Sequence, residues 1–208
     1  MAKAENLRQL IPVRAGAQST SPNKPNVLDS LMTPRLCLGS VTTTNYPDIA
    51  SLNANPAVQR FLCLSKAPPT YEEALADLPC FLSTPAPTGG GVWCIRNRST
   101  TDFLGLILLL FTENYAKIEL GYRLLPQFWG QGYVTEAGFT VVNHAFTKLD
   151  LTELCAIIHP DNIASKTIAE KLGFLRIDCI TRLGFSLDYY TLMRDSLISS
   201  DSQKAAAN

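Results

Sequence analysis

PQFWGQGYVTEA, residues 126–137, follows the strand-like run AKIELGYRLL and opens a helical pattern. After the bulky pair Phe128 and Trp129, the chain gives up its side chains at Gly130 and Gly132. Two physical demands produce such bare positions: a turn with positive φ, and a backbone that must approach something closely. Gln127, Gly130 and Gly132 form Q-x-x-G-x-G at a strand-to-helix junction, where a loop without side chains presents successive N–H groups at the positive end of a helix dipole. By its chemistry that is an anion cradle; by pattern alone it is also an ordinary turn. The loop lacks the Lys-Ser/Thr of a P-loop and is not GxGxxG followed by a ribose-binding acid, so phosphotransfer and dinucleotide binding are disfavoured.

Working outward, the apolar positions Val134, Ala137, Val141, Val142, Ala145 and Phe146 recur at helical spacing, and LTELCAIIH then reads as a buried strand. A second helix is expected from about Asn162 to Leu172, stopped by Gly173, and FLRIDCITR with FSLDYYTLMRD as a hairpin around Leu183 and Gly184. Upstream, TPRLCLGSV reads as the first strand, DIASLNANPAVQRFL as one or two short helices, and Thr70 with Glu73 as a capping box opening TYEEALADLPCFL. VWCIRN, FLGLILLLF and AKIELGYRLL are three strands separated by short meander turns. The order is strand, two helices, three strands, helix, strand, helix, two strands: a mixed α/β (α+β) fold, largely antiparallel in its N-terminal part, with a strand-helix-strand crossover near the middle. Residues 1–32 are expected to be a flexible extension, 33–195 the folded domain and 196–208 a flexible tail.

Eighteen basic and eighteen acidic residues cancel without a Lys/Arg run, which disfavours a nucleic-acid or anionic-membrane partner. FLGLILLLF falls far short of the roughly 20 residues that span a bilayer and reads as a buried central strand. MAKAENLRQLIPVRAGAQSTSPNKP lacks an apolar signal-peptide core, so the cytoplasm is expected. The six cysteines, Cys37, Cys63, Cys80, Cys94, Cys155 and Cys179, have no CxxC pair and read as buried reduced thiols rather than a disulfide frame or a metal site.

HPDNIASKTIAEKLGF, residues 159–174, lies directly after the strand that follows the glycine loop. With ELGYRL and PQFWGQGYVTEA it resembles the GNAT superfamily of acyl-coenzyme A dependent N-acyltransferases, in the branch that holds the ribosomal-protein N-terminal acetyltransferases. The resemblance runs from TPRL to about Arg194. It implies a GNAT fold: a mostly antiparallel sheet, flanked by helices, whose strands splay where acyl-coenzyme A enters. By that resemblance Gln127, Trp129, Gly130, Gln131, Gly132, Tyr133, Val134 and Thr135 hold the pyrophosphate of acetyl-CoA, and Tyr122, Arg123 and Leu124 pair with its pantetheine arm. The same resemblance has Asn162 cap its helix and touch the pantetheine, and Ser165, as a catalytic residue, hydrogen-bond the coenzyme sulfur to protonate or stabilise the departing thiolate. Many members use a tyrosine just before the E-K-x-G-F segment; Ala169 stands there instead, so the proton donor departs from that pattern.

An alkyl ammonium cannot attack a thioester until it loses a proton, so a base is needed, and the candidates are His159, by its near-neutral reference pKa, and Glu119, weaker if it faces solvent. Ordered water is a third route. Backbone N–H groups near Leu124 would hold the oxyanion, with no metal. The acceptor, a small amine or a peptide N-terminus, would enter between residues 46–83 and the hairpin carrying Tyr189 and Tyr190. Trp129 is expected to anchor its loop to the core. A monomer or homodimer is expected. The rival readings are an acyl-coenzyme A-binding module without transfer, and another reaction on the same scaffold.

Overall fold

The nine apolar residues of FLGLILLLF form a strand buried almost end to end, and the rest of the molecule is arranged about it. The computed structural model describes residues 28–62, 67–112, 117–182 and 184–196; most of the expected extension and tail, together with Cys63 and Leu183, lie outside them. The strands are β1 (Leu31–Met32), β2 (Leu36–Ser40), β3 (Val92–Asn97), β4 (Phe103–Phe111), β5 (Ile118–Leu124), β6 (Glu153–Ile158), β7 (Leu175–Arg182) and β8 (Phe185–Met193). They form one sheet in the order β1-β2-β3-β4-β5-β6-β8-β7. Every neighbouring pair is antiparallel except β5 with β6, which are joined by the expected crossover helix.

Among the described residues, α-helices cover the two faces: α1 (Tyr46–Ala54), α2 (Pro56–Gln59), α3 (Tyr71–Leu82), α4 (Tyr133–Thr147) and α5 (Ile163–Lys171). Leu104, Ile107 and Leu109 of β4 join the core under α4 and α5, while Leu106, Leu108 and Leu110 join the core under α1 and α3. A strand covered on both faces reads as a continuous apolar run rather than an alternating one. The capping box is made as the sequence predicts: the Thr70 hydroxyl accepts the Glu73 amide at 3.2 Å, and Glu73 accepts the Thr70 amide at 2.9 Å. Leu28 is buried in the core, and β1 lies N-terminal to the strand at which the sequence reading opens the domain.

Gly105 interrupts the apolar run for a steric reason. A Cβ built there would lie 2.0 Å from the Arg123 carbonyl oxygen, so only glycine lets β4 and β5 come together at that point. At the other edge, Asp188 of β8 is buried and takes Lys166 Nζ of α5 at 2.6 Å and Arg176 Nε of β7 at 2.8 Å, tying three elements through one carboxylate. The Lys166 ammonium outweighs burial and, with Arg176, holds that carboxyl below its ordinary range.

The cysteines depart in part from expectation. Cys94 and Cys155 are buried, and burial pushes both thiols up to about 12. Cys37 is half-buried, whereas Cys80 and Cys179 are exposed, because VWCIR and TELCAII are interior strands while Cys80 lies on the outer side of α3 and Cys179 on an edge strand. All five are free thiols, and among the described residues no cluster suited to a metal is present.

Candidate active site

The site is a consequence of how β5 and β6 part. Parallel pairing between them is limited to Glu119 opposite Cys155. Beyond it Leu120–Leu124 and Ala156–Ile158 flank a cavity of about 310 Å³, which reaches the glycine loop at one end and α5 along its floor. Such a volume is at the lower end of the roughly 300–1,000 Å³ of small-molecule sites.

At the loop end, Gly130 and Gly132 have φ of +72° and +78°. Both are left-handed, so the turn alone requires glycine, and in front of Gly130 no protein atom lies within 4 Å of where a Cβ would be. Of the two demands posed by FWGQGY, positive φ is met in the fold itself. Gly130 faces open space, while a Cβ at Gly132 would meet the Arg35 guanidinium at 3.5 Å, an ordinary contact. The first bond of α4 is Glu136 N to Gly132 O at 3.0 Å, so the amides of its first turn lack an intrahelical acceptor and point outward beside Gly130 and Gly132. Alternating left-handed glycines before a helix N-terminus make a concave row of donors suited to an anion.

Trp129 holds the loop by a different device from that expected. Half its surface is exposed, so it is no core anchor; instead its indole Nε1 donates to the Leu124 carbonyl at 2.7 Å, fastening the loop to the end of β5. Gln131 Nε2 donates to the Gln127 carbonyl at 2.9 Å across the turn. Among the residues assigned to acetyl-CoA, Tyr122, Arg123, Leu124, Trp129, Gly130, Gly132, Tyr133, Val134, Asn162 and Ser165 line the cavity, while Gln127, Gln131 and Thr135 lie outside its wall. The Leu125 amide is bonded to the Leu104 carbonyl at 2.9 Å, so this amide just beyond Leu124 is spent within the sheet.

One loop contact is not legible from local pattern. Arg35 reaches from just before β2, donating Nη1 to the Gln131 carbonyl at 3.0 Å, pairing Nε with Glu136 at 2.6 Å and lying 4.6 Å over the Tyr133 ring. It brings a cation to the rim of the glycine loop across about a hundred residues of sequence, a separation no window-based reading spans. Glu136 also accepts the Thr33 hydroxyl; burial works against its charge, yet these hydrogen bonds hold its carboxyl below the ordinary value.

On the floor, Asn162 Oδ1 accepts the Ser165 amide at 3.2 Å, the capping role expected of it. Tyr122 crosses from β5 and donates its hydroxyl to the Ser165 carbonyl at 3.4 Å. Burial pushes the phenol up to about 12, with the Ser165 side chain pulling the other way, so it stays protonated at neutral pH. Ala169, one turn beyond Ser165, is buried in the same wall. The tyrosine hydroxyl beside Ser165 therefore comes from the facing strand, at Tyr122.

Glu119 and His159 stand where the cavity meets a second, smaller one of about 120 Å³, and both line both. Glu119 therefore faces the site rather than open solvent, because strand alternation puts Glu119, Gly121 and Arg123 on the side opposite Ile118 and Leu120. His159 packs on Phe61 with ring centroids 5.4 Å apart, and its Nδ1 takes the Asp161 amide at 3.1 Å. That nitrogen is thus engaged by Asp161, whose carboxylate also lies 3.9 Å from it. Arg123 turns its guanidinium away from the loop, to Asn53 Oδ1 at 2.7 Å and over Phe81 at 5.1 Å. Tyr189 and Tyr190 line neither cavity: Tyr190 is in the core, and Leu187 and Arg182 form that wall instead.

Residues 35–175 match the acetyltransferase (GNAT) domain family. The chain belongs to the GNAT acetyltransferases. It is 28% identical over 145 residues to an uncharacterized N-acetyltransferase, YoaA, of Bacillus subtilis, covering 69% of this chain and 81% of that one. It is 29% identical over 139 residues to the FsC-acetyl coenzyme A-N(2)-transacetylase of Aspergillus fumigatus, covering 61% of this chain and 57% of that one. In fold it is similar to a GNAT-family acetyltransferase of Bacillus anthracis, with a TM-score of 0.67 over 80% of this chain and 99% of that one at 17% identity. This GNAT protein is thus an N-acyltransferase that uses acetyl-CoA as co-substrate and an amine as acceptor. Its sheet and crossover are those of the expected GNAT fold, and among the described residues no helix is long and apolar enough to cross a membrane.

Proposed function

We propose that the cavity between β5 and β6 receives the acetyl-CoA arm, that the smaller cavity receives the acceptor amine, and that Glu119 at their junction is the base. The observation that carries this reading is the position of Glu119: one carboxylate borders both spaces, while the lone pair of His159 Nδ1 is engaged by the Asp161 amide. Acetyl-CoA supplies an acetyl group activated as a thioester. The amides of Gly130 through Thr135 and the Arg35 guanidinium offer donors and positive charge to a pyrophosphate. Glu119 accepts the ammonium proton, leaving the nitrogen lone pair free to attack. The Tyr122 hydroxyl, kept protonated by burial and lying against Ser165, is the nearby proton donor, in place of the side chain that Ala169 lacks.

The acceptor is a primary amine, free or at a peptide N-terminus, and the working compartment is the cytoplasm, supported by free cysteines that suit a reducing milieu. The decisive comparison is the pH–rate profile of Glu119→Gln against His159→Gln. Loss of general-base action costs about 10²- to 10⁴-fold, expected for Glu119→Gln at unchanged acetyl-CoA affinity. The opposite result, with His159→Gln losing that rate and Glu119→Gln retaining it, would reverse the assignment.

A further inference from the structure

The turn that joins β1 to β2 fixes one side chain against the glycine loop, and the role inferred for it rests on reading that loop as the pyrophosphate cradle. Thr33 closes the turn: its amide donates to the Leu36 carbonyl at 3.0 Å, and its hydroxyl oxygen accepts the Leu36 amide at 2.8 Å. The same hydroxyl donates to Glu136 Oε1, in the first turn of α4. That oxygen also accepts the Arg35 amide at 2.9 Å, and Oε2 accepts Arg35 Nε at 2.6 Å. Against the cost of burial, these bonds hold the carboxyl below its ordinary value, so it is an anion at neutral pH. An anion in the first turn of a helix draws on the same N-terminal partial charge as a bound anionic ligand. Here the carboxylate is turned to the β1–β2 side, while Gly132, Tyr133 and Val134 line the cavity.

Each corner of the guanidinium has its own place. With Nε on Glu136, Nη1 donates to the Gln131 carbonyl at 3.0 Å, and the planar group lies 4.6 Å over the Tyr133 ring. Nη2 then stands 3.5 Å from where a Cβ on Gly132 would be, beside the row of loop amides, and among the described residues it bonds nothing. We infer that Arg35 binds the acetyl-CoA pyrophosphate through Nη2, and that Glu136 is the positioning residue that aims it. A half-exposed ion pair adds little to stability, so the consequence of these bonds is positional: a rigid planar fork fixed at two corners has one direction for its third. Charge counting alone gives the opposite expectation for Glu136, because removing a carboxylate near an anion site favours the anion.

Three acetyl donors separate the phosphates. Acetyl-CoA and its dephospho form, which lacks the phosphate on the ribose, both keep the pyrophosphate, and S-acetylpantetheine has none. Calorimetric titration of the full chain, with NMR titration for the weakest ligand, gives the affinity of each without any acceptor amine. Arg35→Gln should lower the preference for either pyrophosphate-bearing donor over S-acetylpantetheine about tenfold, a difference of about 1.4 kcal/mol. Arg35→Lys keeps the charge but not the fork and should lose most of that preference. It carries the same test if melting shows the glutamine variant to be unfolded. Glu136→Gln should lower the preference at least about threefold although it removes a negative charge, and should add no further loss in an Arg35→Gln background. Folded variants that keep the parent's preference, tighter acetyl-CoA binding by Glu136→Gln, or a loss seen with acetyl-CoA and absent with its dephospho form would each overturn the inference while leaving the cradle intact. A parent protein that binds S-acetylpantetheine as tightly as acetyl-CoA would sink the cradle reading itself, and the inference with it.

Discussion

Replacing Gly130 or Gly132 by alanine tests whether the loop is shaped by conformation before any ligand arrives. Both residues are left-handed, at φ of +72° and +78°. A Cβ at Gly130 would meet nothing within 4 Å, and at Gly132 only the Arg35 guanidinium at 3.5 Å, an ordinary contact. Steric collision therefore contributes nothing, and the cost is that of holding an L side chain in the left-handed region, about 1–2 kcal/mol. If the loop keeps its shape, the strain lowers stability by that amount, or about 2–8 °C in melting temperature for a domain of this size. If it relaxes to escape the strain, the row of amides is lost and acetyl-CoA binds about 5- to 30-fold more weakly. Either way, calorimetric binding and thermal unfolding together must register the substitution. Asparagine tolerates the left-handed region, so Gly130→Asn should lose less than Gly130→Ala. Gly130→Asp then differs from Gly130→Asn by one negative charge at similar size. It should bind acetyl-CoA at least about fivefold more weakly, the low end of a like-charge contact at roughly 4 Å near a surface. Alanine variants that melt and bind as the parent does would refute the conformational argument, and equal affinities for the aspartate and asparagine variants would refute the anion cradle.

Two further outcomes follow from the sheet. Gly105→Ala places a Cβ 2.0 Å from a backbone oxygen that no rotamer can move, so β4 and β5 must separate; a loss of about 3 kcal/mol is expected by urea denaturation. Asp188→Asn leaves Lys166 and Arg176 without their carboxylate and should cost about 3 kcal/mol at pH 7. Because the folded state holds Asp188 below its ordinary range, its contribution is full above the unfolded value near about 4 and fades as pH falls through the lower folded value. The stability gap between parent and variant should therefore narrow in acid, and a gap that widened there would contradict the ion-pair account.

Much of this protein is written in local pattern. The 3.6-residue spacing after Gly132 and the apolar run of β4 follow from how a single segment must bury its apolar side chains, the capping box at Thr70 from how a helix start satisfies its free amides, and the observed elements agree. The glycine loop and the Asn162 block were likewise legible, since Q-x-x-G-x-G and a capping asparagine act within a few residues of themselves. Other features of the site depend on chain segments far apart in sequence. The parting of β5 from β6 after one paired position depends on where α4 returns the chain, which no strand pattern encodes. The facing of Glu119 toward both cavities, and the presence of Leu187 and Arg182 rather than Tyr189 and Tyr190 in the wall of the smaller one, follow from sheet register, in which one residue of slip exchanges the two faces. Arg35 on the glycine loop and Tyr122 against Ser165 are contacts across about a hundred and about forty residues. The sequence by itself determined the elements and the loop that suits the cofactor, because those are settled by neighbours along the chain. Only the tertiary structure decided which side chains share the cavity, because that depends on how a twisted sheet brings distant segments together.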